Sequence, residues 1–402
     1  MAGLATEESI VVPDKNLEGA GINVSVAEVT KIDAEKKLAH VSDGRVLDYD
    51  KLFLATGASS FIPPIEGREL NGNIGLRGLP DAAKIKSFIA DHNPKKLVFI
   101  GAGFITLEIA SLLTTADPGV FDITVVELLN RPLPLMLDKD MADPVKEYCE
   151  EKGIKIHTGE EVKKILGKAG MVVGVELGSG KKIDADMVFM NVGVRPNIKL
   201  AEDIGLEIGK FGIKVNKYQE TSDPHILAGG DCVEKINFIT KKPDAGYLRG
   251  PAVMQGRLAA KRLAGYDIEF PGVLNAGGCQ MFGLVVTATG LTEEAADKEG
   301  FKTVCATADS RSKHGMIPGM KPWKLKLVFD QKTQRLIGGQ IVSHAVPPAR
   351  EIDAVSAFIL GGKTAADLTT FTSACNPDIS SEPSLEPITV ASEQALQKLR
   401  NM

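Results

Sequence analysis

The sequence predicts an α/β protein built from several domains. With 402 residues, the chain is too long for one ordinary domain. Residues 95–127 follow the order strand, glycine turn, helix and strand, which predicts a βαβ unit with a parallel sheet. Strand-like alternation is found on both sides of this unit, over residues 22–54 and after residue 270. The chain therefore combines a parallel-sheet domain with mixed strands and helices.

The first regular segment is the alternating stretch 22–54, in which Asp43-Gly44 predicts a hairpin turn. Pro63-Pro64 breaks this pattern, and we place a domain boundary near residues 75–80. A helix is predicted over 140–152, with Pro144 in its first turn, where proline is tolerated. The remaining elements are strands at 171–177, 181–184, 186–191, 323–329 and 335–342, with a turn at Gln331-Lys332, and helices at 252–264, 349–360 and 385–399.

Composition and charge exclude several classes of function. A net charge of −5 provides no basic surface for nucleic acid. No apolar run reaches the length of a membrane span, and the first residues lack the pattern of a secretory signal. The five cysteines are odd in number, widely spaced and form no CxxC, which argues against a disulfide framework or a zinc site. We therefore expect a cytoplasmic protein without a metal and without nucleic-acid or membrane partners.

The strongest motif lies between the first buried strand and the following helix. Gly101 permits a tight turn, and Gly103 lets the backbone approach a pyrophosphate at the amino end of the helix. Glu127 ends the next strand, where its carboxylate can accept hydrogen bonds from a ribose and repel a 2′-phosphate. Thr106 occupies the third glycine position, so the fingerprint is imperfect. The motif predicts a dinucleotide site that favours NADH, with Arg131 leaving NADPH as the less favoured alternative.

Further segments resemble the pyridine nucleotide–disulfide oxidoreductases, chiefly the branch of NADH oxidases, coenzyme A–disulfide reductases and NADH persulfide or rubredoxin reductases. The resemblance covers the chain from about residue 20. It rests on KLFLATGASSFIPPIEG at 51–67, GAGFITLEIA at 101–110, NVGVRPN at 191–197, ILAGGDCVE at 226–234, RGPAVMQGRLAAKRLAG at 249–265, and HGMIPGMKPWKLKLVFD with LIGGQIV at 314–342.

The resemblance implies a fold and a set of cofactor-binding residues. The fold class would be α/β, a two-dinucleotide-domain flavoprotein with a C-terminal α+β dimerisation domain. Its domains would be residues 1–78 and 195–270 for FAD, 79–194 for NAD(H) and 271–402 for the homodimer interface. The NAD residues would be Gly101, Gly103, Phe104, Ile105, Glu108, Glu127 and Gly193. The FAD residues would be Ala55, Thr56, Gly57, Gly230 and Asp231.

The sequence departs from the family pattern in two places. The family begins with a strand–GxGxxG–helix unit for FAD, and none precedes residue 22, so the first Rossmann unit is expected to be incomplete. In the related branch the redox cysteine also lies in that stretch. Near the C-terminus, Cys375 stands where the coenzyme A–disulfide reductases carry a tyrosine, with Glu382 as a candidate base. Cys375 is therefore a weak catalytic candidate, and an inert thiol is the favoured interpretation.

These observations favour an FAD-dependent NADH oxidoreductase. Hydride would pass through flavin to a thiol, disulfide, persulfide, oxygen or a small redox protein. One alternative is electron transfer to a rubredoxin-type protein without an active cysteine. Another is a fragment or remnant that binds NADH and dimerises without turnover. Arg311, Lys313, His314 and His344 are interpreted as surface or structural residues.

Overall fold

The structure, a computed structural model, describes residues 6–402. Its strands, in chain order, are β1 (Val29–Asp33), β2 (Leu38–Val41), β3 (Val46–Asp48), β4 (Leu52–Leu54), β5 (Ala58–Ser60), β6 (Asn73–Ile74), β7 (Lys96–Ile100), β8 (Asp122–Glu127), β9 (Lys155–Thr158), β10 (Val162–Lys168), β11 (Met171–Leu177), β12 (Lys182–Asp184), β13 (Met187–Met190), β14 (Val194–Pro196), β15 (Ile226–Ala228), β16 (Lys235–Ile236), β17 (Pro243–Asp244), β18 (Gly277–Met281), β19 (Leu284–Gly290), β20 (Thr303–Arg311), β21 (Pro322–Asp330) and β22 (Leu336–Ser343).

The helices are α1 (Glu7–Ile10), α2 (Asp14–Glu18), α3 (Leu79–His92), α4 (Phe104–Ala116), α5 (Lys139–Glu151), α6 (Lys199–Asp203), α7 (Arg249–Leu263), α8 (Glu293–Lys298), α9 (Val346–Ala349), α10 (Glu351–Leu360), α11 (Ala365–Leu368) and α12 (Pro387–Arg400), with 3₁₀ turns at Gly230–Cys232 and Pro383–Leu385. Within residues 6–402, none of these helices has the length and apolar character needed to cross a bilayer.

The first compact unit joins the described residues up to 60 with residues 193–273. It contains the antiparallel sheet β1-β2-β3, the antiparallel pair β5–β14 and the parallel pair β4–β15. Strand β15 is buried throughout, and its side chains share an apolar cluster with Leu54 and Cys232. The carboxyl ends of β4 and β15 consequently lie side by side, which places the ATG and GGD segments next to each other.

The second compact unit joins residues 61–192 with 274–402. Its first part is a five-stranded parallel sheet of order β6-β13-β7-β8-β9. Strand β7 is buried from Leu97 to Ile100, as expected for a parallel strand covered on both faces. The rings of Phe99 and Phe189 stack at 4.3 Å between centroids across β7 and β13. This packing fixes the carboxyl ends of β7 and β8, where the dinucleotide motif lies.

The rest of the second unit is a five-stranded antiparallel sheet of order β18-β19-β22-β21-β20, with α10 and α12 packed on it. One apolar cluster runs from the parallel-sheet layer into β18 and β19, where Met281 and Val286 are fully buried. The α/β fold class is thus confirmed, including an antiparallel C-terminal region.

Several predicted elements are confirmed, and three boundaries are wrong. Residues 22–28 do not form a strand. Polar and apolar residues alternate there, but no other described strand pairs with them, and Val26 is 91% exposed. The predicted helix 349–360 is split at Arg350 into α9 and α10. Helix α5 begins at Lys139, so Pro144 is its sixth residue and lies beyond the first turn. The helix starts there because the N–H groups of residues 141 and 142 donate to the Asp138 carbonyl.

Candidate functional site

The glycine turn and the acid of the dinucleotide motif are joined by short hydrogen bonds. The Ala102 N–H donates to Glu127 Oε2 at 2.6 Å, and the Leu129 N–H donates to Glu127 Oε1 at 2.8 Å. The Glu127 side chain is buried at the carboxyl end of β8. Its carboxylate therefore connects the turn after β7 with the loop after β8, which are the two segments expected to surround a ribose and a pyrophosphate.

The two glycines of the turn differ in their surroundings. Gly101 has φ +91°, and a Cβ at this position would lie 3.0 Å from the Asn191 carbonyl oxygen. A Cβ at Gly103 would meet no described atom within 4 Å, so the space in front of it is open. Helix α4 begins directly after Gly103, and the N–H groups of its first turn have no partner within the helix. The arrangement can accept an anion at this helix terminus.

The next residues of the motif are spread along α4. Phe104 is exposed, Ile105 is half-buried, and Thr106 is fully buried, with an Oγ1 that has no hydrogen-bond partner in the described part of the chain. Glu108 Oε1 accepts a hydrogen bond from the Gln280 N–H at 3.3 Å. Burial raises the pKa of Glu108, and this backbone hydrogen bond partly opposes the rise. Among these four residues of α4, Glu108 is the one with an ionisable side chain.

The Arg131 side chain is bound by its own loop and by Glu294. Its Nε donates to the Leu137 carbonyl at 2.7 Å, and Nη2 forms an ion pair with Glu294 at 2.6 Å. The side chain is 6% exposed. Arg131 was the reason for keeping NADPH as the less favoured alternative. In the structure its charge is paired with Glu294.

The expected flavin residues all lie in the first unit. Thr56 Oγ1 donates to the Asn197 carbonyl at 2.6 Å, and Asn197 Nδ2 donates back to the Thr56 carbonyl at 2.9 Å. Ala55 is exposed, and Gly57 follows with φ +66°. These bonds join the ATG segment to the end of NVGVRPN. Gly193, which the sequence places among the NAD residues, also belongs to the first unit and has φ +115°.

The GGD turn is held from two sides. The Gly230 N–H donates to Gln255 Oε1 at 2.9 Å, and the Gly230 carbonyl accepts from Lys235 Nζ at 2.6 Å. A Cβ at Gly229 would lie 2.7 Å from the Phe53 ring, so a side chain at this position would displace that ring. Asp231 is thereby presented on a rigid turn at the carboxyl end of β15, where ligands of parallel sheets commonly bind.

Cys375 is exposed, and its Sγ donates to the Ser373 carbonyl at 3.3 Å. Glu382 is also exposed, and no hydrogen bond joins the two side chains in the described part of the chain. The geometry therefore does not assemble the thiol and base pair that the sequence raised. The other four cysteines are free and at least partly buried, and burial raises the pKa of Cys149 to about 12.

Residues 4–246 match the family described as pyridine nucleotide-disulphide oxidoreductase, and residues 278–385 match its dimerisation domain. The chain belongs to this family. A relative named NADH oxidase, from Methanocaldococcus jannaschii, is 38% identical over 383 residues, which cover 94% of this chain and 83% of the relative.

Two solved structures of the family are similar to this chain. A NAD-dependent persulfide reductase from A. fulgidus superposes with a TM-score of 0.88 at 33% identity, covering 94% of this chain and 70% of that one. A FAD-dependent member from Desulfovibrio vulgaris superposes with a TM-score of 0.80 at 32% identity, covering 94% and 91%. The predicted family, its oxidoreductase class and its cofactors, FAD and NADH, are thereby confirmed for the family to which the chain belongs.

Sequence reasoning missed two residues that bind the GGD turn, Lys235 and Gln255. Lys235 is 2% exposed although lysine is almost never fully buried, and no local pattern marks it. Gln255 is fully buried, and its Nε2 has no hydrogen-bond partner among the described residues. The position of Gln255 within the 249–265 segment was the one signal available, because it lies on the predicted helix that follows the GGD turn.

Proposed function

We propose that this chain is a flavin-linked NADH oxidoreductase whose NADH site is formed by the β7–α4 turn and Glu127. The observation that carries this proposal is the hydrogen bond from Ala102 to the Glu127 carboxylate. It holds the glycine turn against the end of β8, so a pyrophosphate on the turn and a ribose at Glu127 would be bound by one rigid frame. The free lone pairs of the carboxylate are available to the ribose hydroxyl groups.

Each residue of the proposed NADH site has a distinct role. Gly101 permits the turn, and Gly103 leaves room for the pyrophosphate in front of the first N–H groups of α4. Glu127 selects a ribose with free hydroxyl groups over one carrying a 2′-phosphate, which its charge repels. Glu108 is placed on the same helix to meet the nicotinamide end and, with its raised pKa, to take up or release a proton.

The first unit fits part of FAD. The ATG and GGD segments lie side by side, and Asp231 would accept hydrogen bonds from the ribityl hydroxyl groups. A bound flavin supplies the two-electron chemistry that the side chains lack. Residues 6–402 contain one strand–GxG–helix unit, the one after β7, and no second unit for the pyrophosphate of FAD. The described residues thus fit the flavin and its polyol better than the adenosine half.

The acceptor and the assembly belong to the same proposal. We infer a homodimer formed through residues 271–402, supported by the match to the dimerisation domain. The acceptor would be a thiol, disulfide or persulfide, oxygen or a small redox protein, in line with relatives named NADH oxidase and persulfide reductase. The five free cysteines support a cytoplasmic location.

An absorption spectrum of the purified protein, recorded before and after anaerobic addition of NADH, tests this function. A flavin band that bleaches on addition would support the proposal, and acceptors could then be compared by reoxidation rate. A colourless protein that still binds NADH after incubation with FAD would contradict flavin-linked turnover and would favour the non-catalytic alternative. Failure to bind NADH would contradict the proposed site itself.

A further inference from the structure

Lys235 is a buried cation beside the GGD turn. It lies on β16 and is 2% exposed. Its Nζ donates to the Gly230 carbonyl at 2.6 Å and to the Val233 carbonyl at 3.1 Å. The same Nζ lies 5.1 Å from the centre of the Tyr247 ring. Two carbonyls and an aromatic face therefore take the place of water around an ammonium group that proteins rarely bury.

The surroundings of Lys235 leave room for its aliphatic stem. A Cβ at Gly246 would lie 3.1 Å from Lys235 Cδ, so the glycine at that position gives the stem space. Gly246 has φ +51°, and its N–H donates to Asp244 Oδ1 at 3.0 Å. Asp244 lies opposite Lys235 in the β16–β17 pair, and its Oδ2 accepts from Asn237 Nδ2 at 2.9 Å. The hairpin and the turn at Gly246 thus direct the ammonium group toward the GGD turn.

The bond to the Gly230 carbonyl bears directly on Asp231. A peptide group is planar, so the Gly230 carbonyl and the Asp231 N–H belong to one rigid unit. Lys235 fixes this end of Gly230, and Gln255 Oε1 fixes the other end by accepting the Gly230 N–H at 2.9 Å. The Val233 N–H also donates to the Gly230 carbonyl, at the longer distance of 3.3 Å. The direction in which the Asp231 side chain leaves the backbone therefore depends in part on the ammonium group.

We propose that Lys235 is a positioning residue for the flavin polyol, which holds the Gly230–Asp231 peptide so that the Asp231 carboxylate meets the ribityl hydroxyl groups. The inference rests on the flavin site proposed above. It adds to that site a residue that acts through Asp231 and does not contact the ligand. Because its effect passes through one carboxylate, Lys235 should influence the affinity for the ribityl chain and leave the affinity for the isoalloxazine ring unchanged.

Riboflavin and lumiflavin separate these two contributions, because they share the ring and lumiflavin carries a methyl group in place of the ribityl chain. Titration of the flavin-free protein with each, followed by flavin fluorescence, gives the ratio of the lumiflavin dissociation constant to the riboflavin dissociation constant. We expect Lys235→Met to lower this ratio by roughly fivefold, the scale of one hydrogen bond, through weaker riboflavin binding. Lys235→Gln, which keeps a donor, should lower it less. An equal loss of affinity for both flavins would indicate a general structural role and overturn the inference.

Two comparisons connect the effect to Asp231 and to the buried position of the lysine. Lys241→Met removes an exposed lysine from the loop between β16 and β17, where its Nζ lies over the Phe238 ring, and should leave the ratio unchanged. In an Asp231→Asn protein, which has already lost the carboxylate, Lys235→Met should change the ratio by less than about twofold. An unchanged ratio in Lys235→Met, an equal fall in Lys241→Met, or the full fall in the Asp231→Asn background would overturn the inference alone.

The unaltered protein offers a further test that needs no substitution. Burial lowers the pKa of Lys235 to about 8, although the neighbouring Asp231, Cys232 and Asp244 oppose the fall, and burial raises the pKa of Tyr247. The protonated ammonium forms the stronger, charge-assisted bond, so the ratio should fall between about pH 7 and 9 and stay level in Lys235→Met. A ratio independent of pH in the unaltered protein would overturn the inference. Equal binding of the two flavins by the unaltered protein at about pH 7, or binding of neither, would overturn the flavin site as well.

Discussion

Replacing Lys326 with methionine is expected to destabilise the second unit strongly. Lys326 Nζ lies 3.1 Å from Asp138 Oδ2, 2.9 Å from Asp140 Oδ1 and 3.0 Å from Glu293 Oε2. Burial by itself would lower the pKa of Lys326, but these three carboxylates raise it above its usual range. Gln340 completes the cluster by donating to Asp138 Oδ2 at 2.6 Å.

The size of the effect follows from the exposure of the three carboxylates. The side chains of Asp140 and Glu293 are 53% and 50% exposed, so water screens them and each pair contributes little. Asp138 is 7% exposed, and without Lys326 its charge would be buried with no cation. Removing one partner of such a buried pair costs about 3–5 kcal/mol. For a unit of this size the midpoint of thermal unfolding should fall by about 6–20 °C.

Calorimetry of the unaltered protein and the variant measures this change. Lys324→Met is the matched control, because Lys324 lies on the same strand in an exposed pair with Asp309 and should cost under about 1 kcal/mol. Adding Asp138→Asn to Lys326→Met should recover much of the loss, since no buried charge then remains. A Lys326→Met protein as stable as the Lys324→Met control would refute the reasoning.

Three other predictions concern single side chains of the proposed sites. Glu127→Ala should weaken NADH binding by about 10-fold or more, because it leaves the Ala102 and Leu129 N–H groups without their acceptor, and equal affinity by titration would contradict this. Lys235 has a pKa lowered by burial to about 8, so its charge is unfavourable in the folded state. The free energy of unfolding should therefore rise between about pH 8 and 10.5 by up to a few kcal/mol relative to Lys235→Met, and parallel pH profiles would argue against the buried ammonium. Cys375 should be the one thiol that reacts rapidly with iodoacetamide in the folded protein, and peptide mapping that finds Cys149 modified at a similar rate would contradict the burial of that thiol.

The parts of the site that could be predicted from sequence are those determined by local pattern. Strand β7, the glycine turn, α4 and β8 follow one another within about thirty residues, and parallel-sheet geometry then places Glu127 beside the turn. The ATG and GGD segments required the family pattern as well, because each tripeptide alone is only a turn. Local pattern misled at residues 22–28, where alternation occurs without a neighbouring strand to pair with.

The polar residues behind the site could not be predicted because their partners are remote. Arg131 meets Glu294, and Asp138 meets Lys326, across more than 150 residues of chain. Charged residues are ordinarily exposed, so a sequence pattern assigns them to the surface. Lys235 is buried because its ammonium group bonds to the carbonyls of Gly230 and Val233, and no periodicity encodes such a contact.

The pairing of β5 with β14 has a consequence for the order of folding. These two strands, Ala58–Ser60 and Val194–Pro196, are hydrogen-bonded neighbours in the first unit, yet the whole parallel-sheet domain lies between them in sequence. Closing so long a loop in an unfolded chain is entropically costly, whereas a domain that has already folded brings its two ends to defined positions. We therefore expect residues 61–192 to acquire protection from hydrogen exchange first during refolding. The β5–β14 pair, and with it the frame of the flavin residues, would form only afterwards.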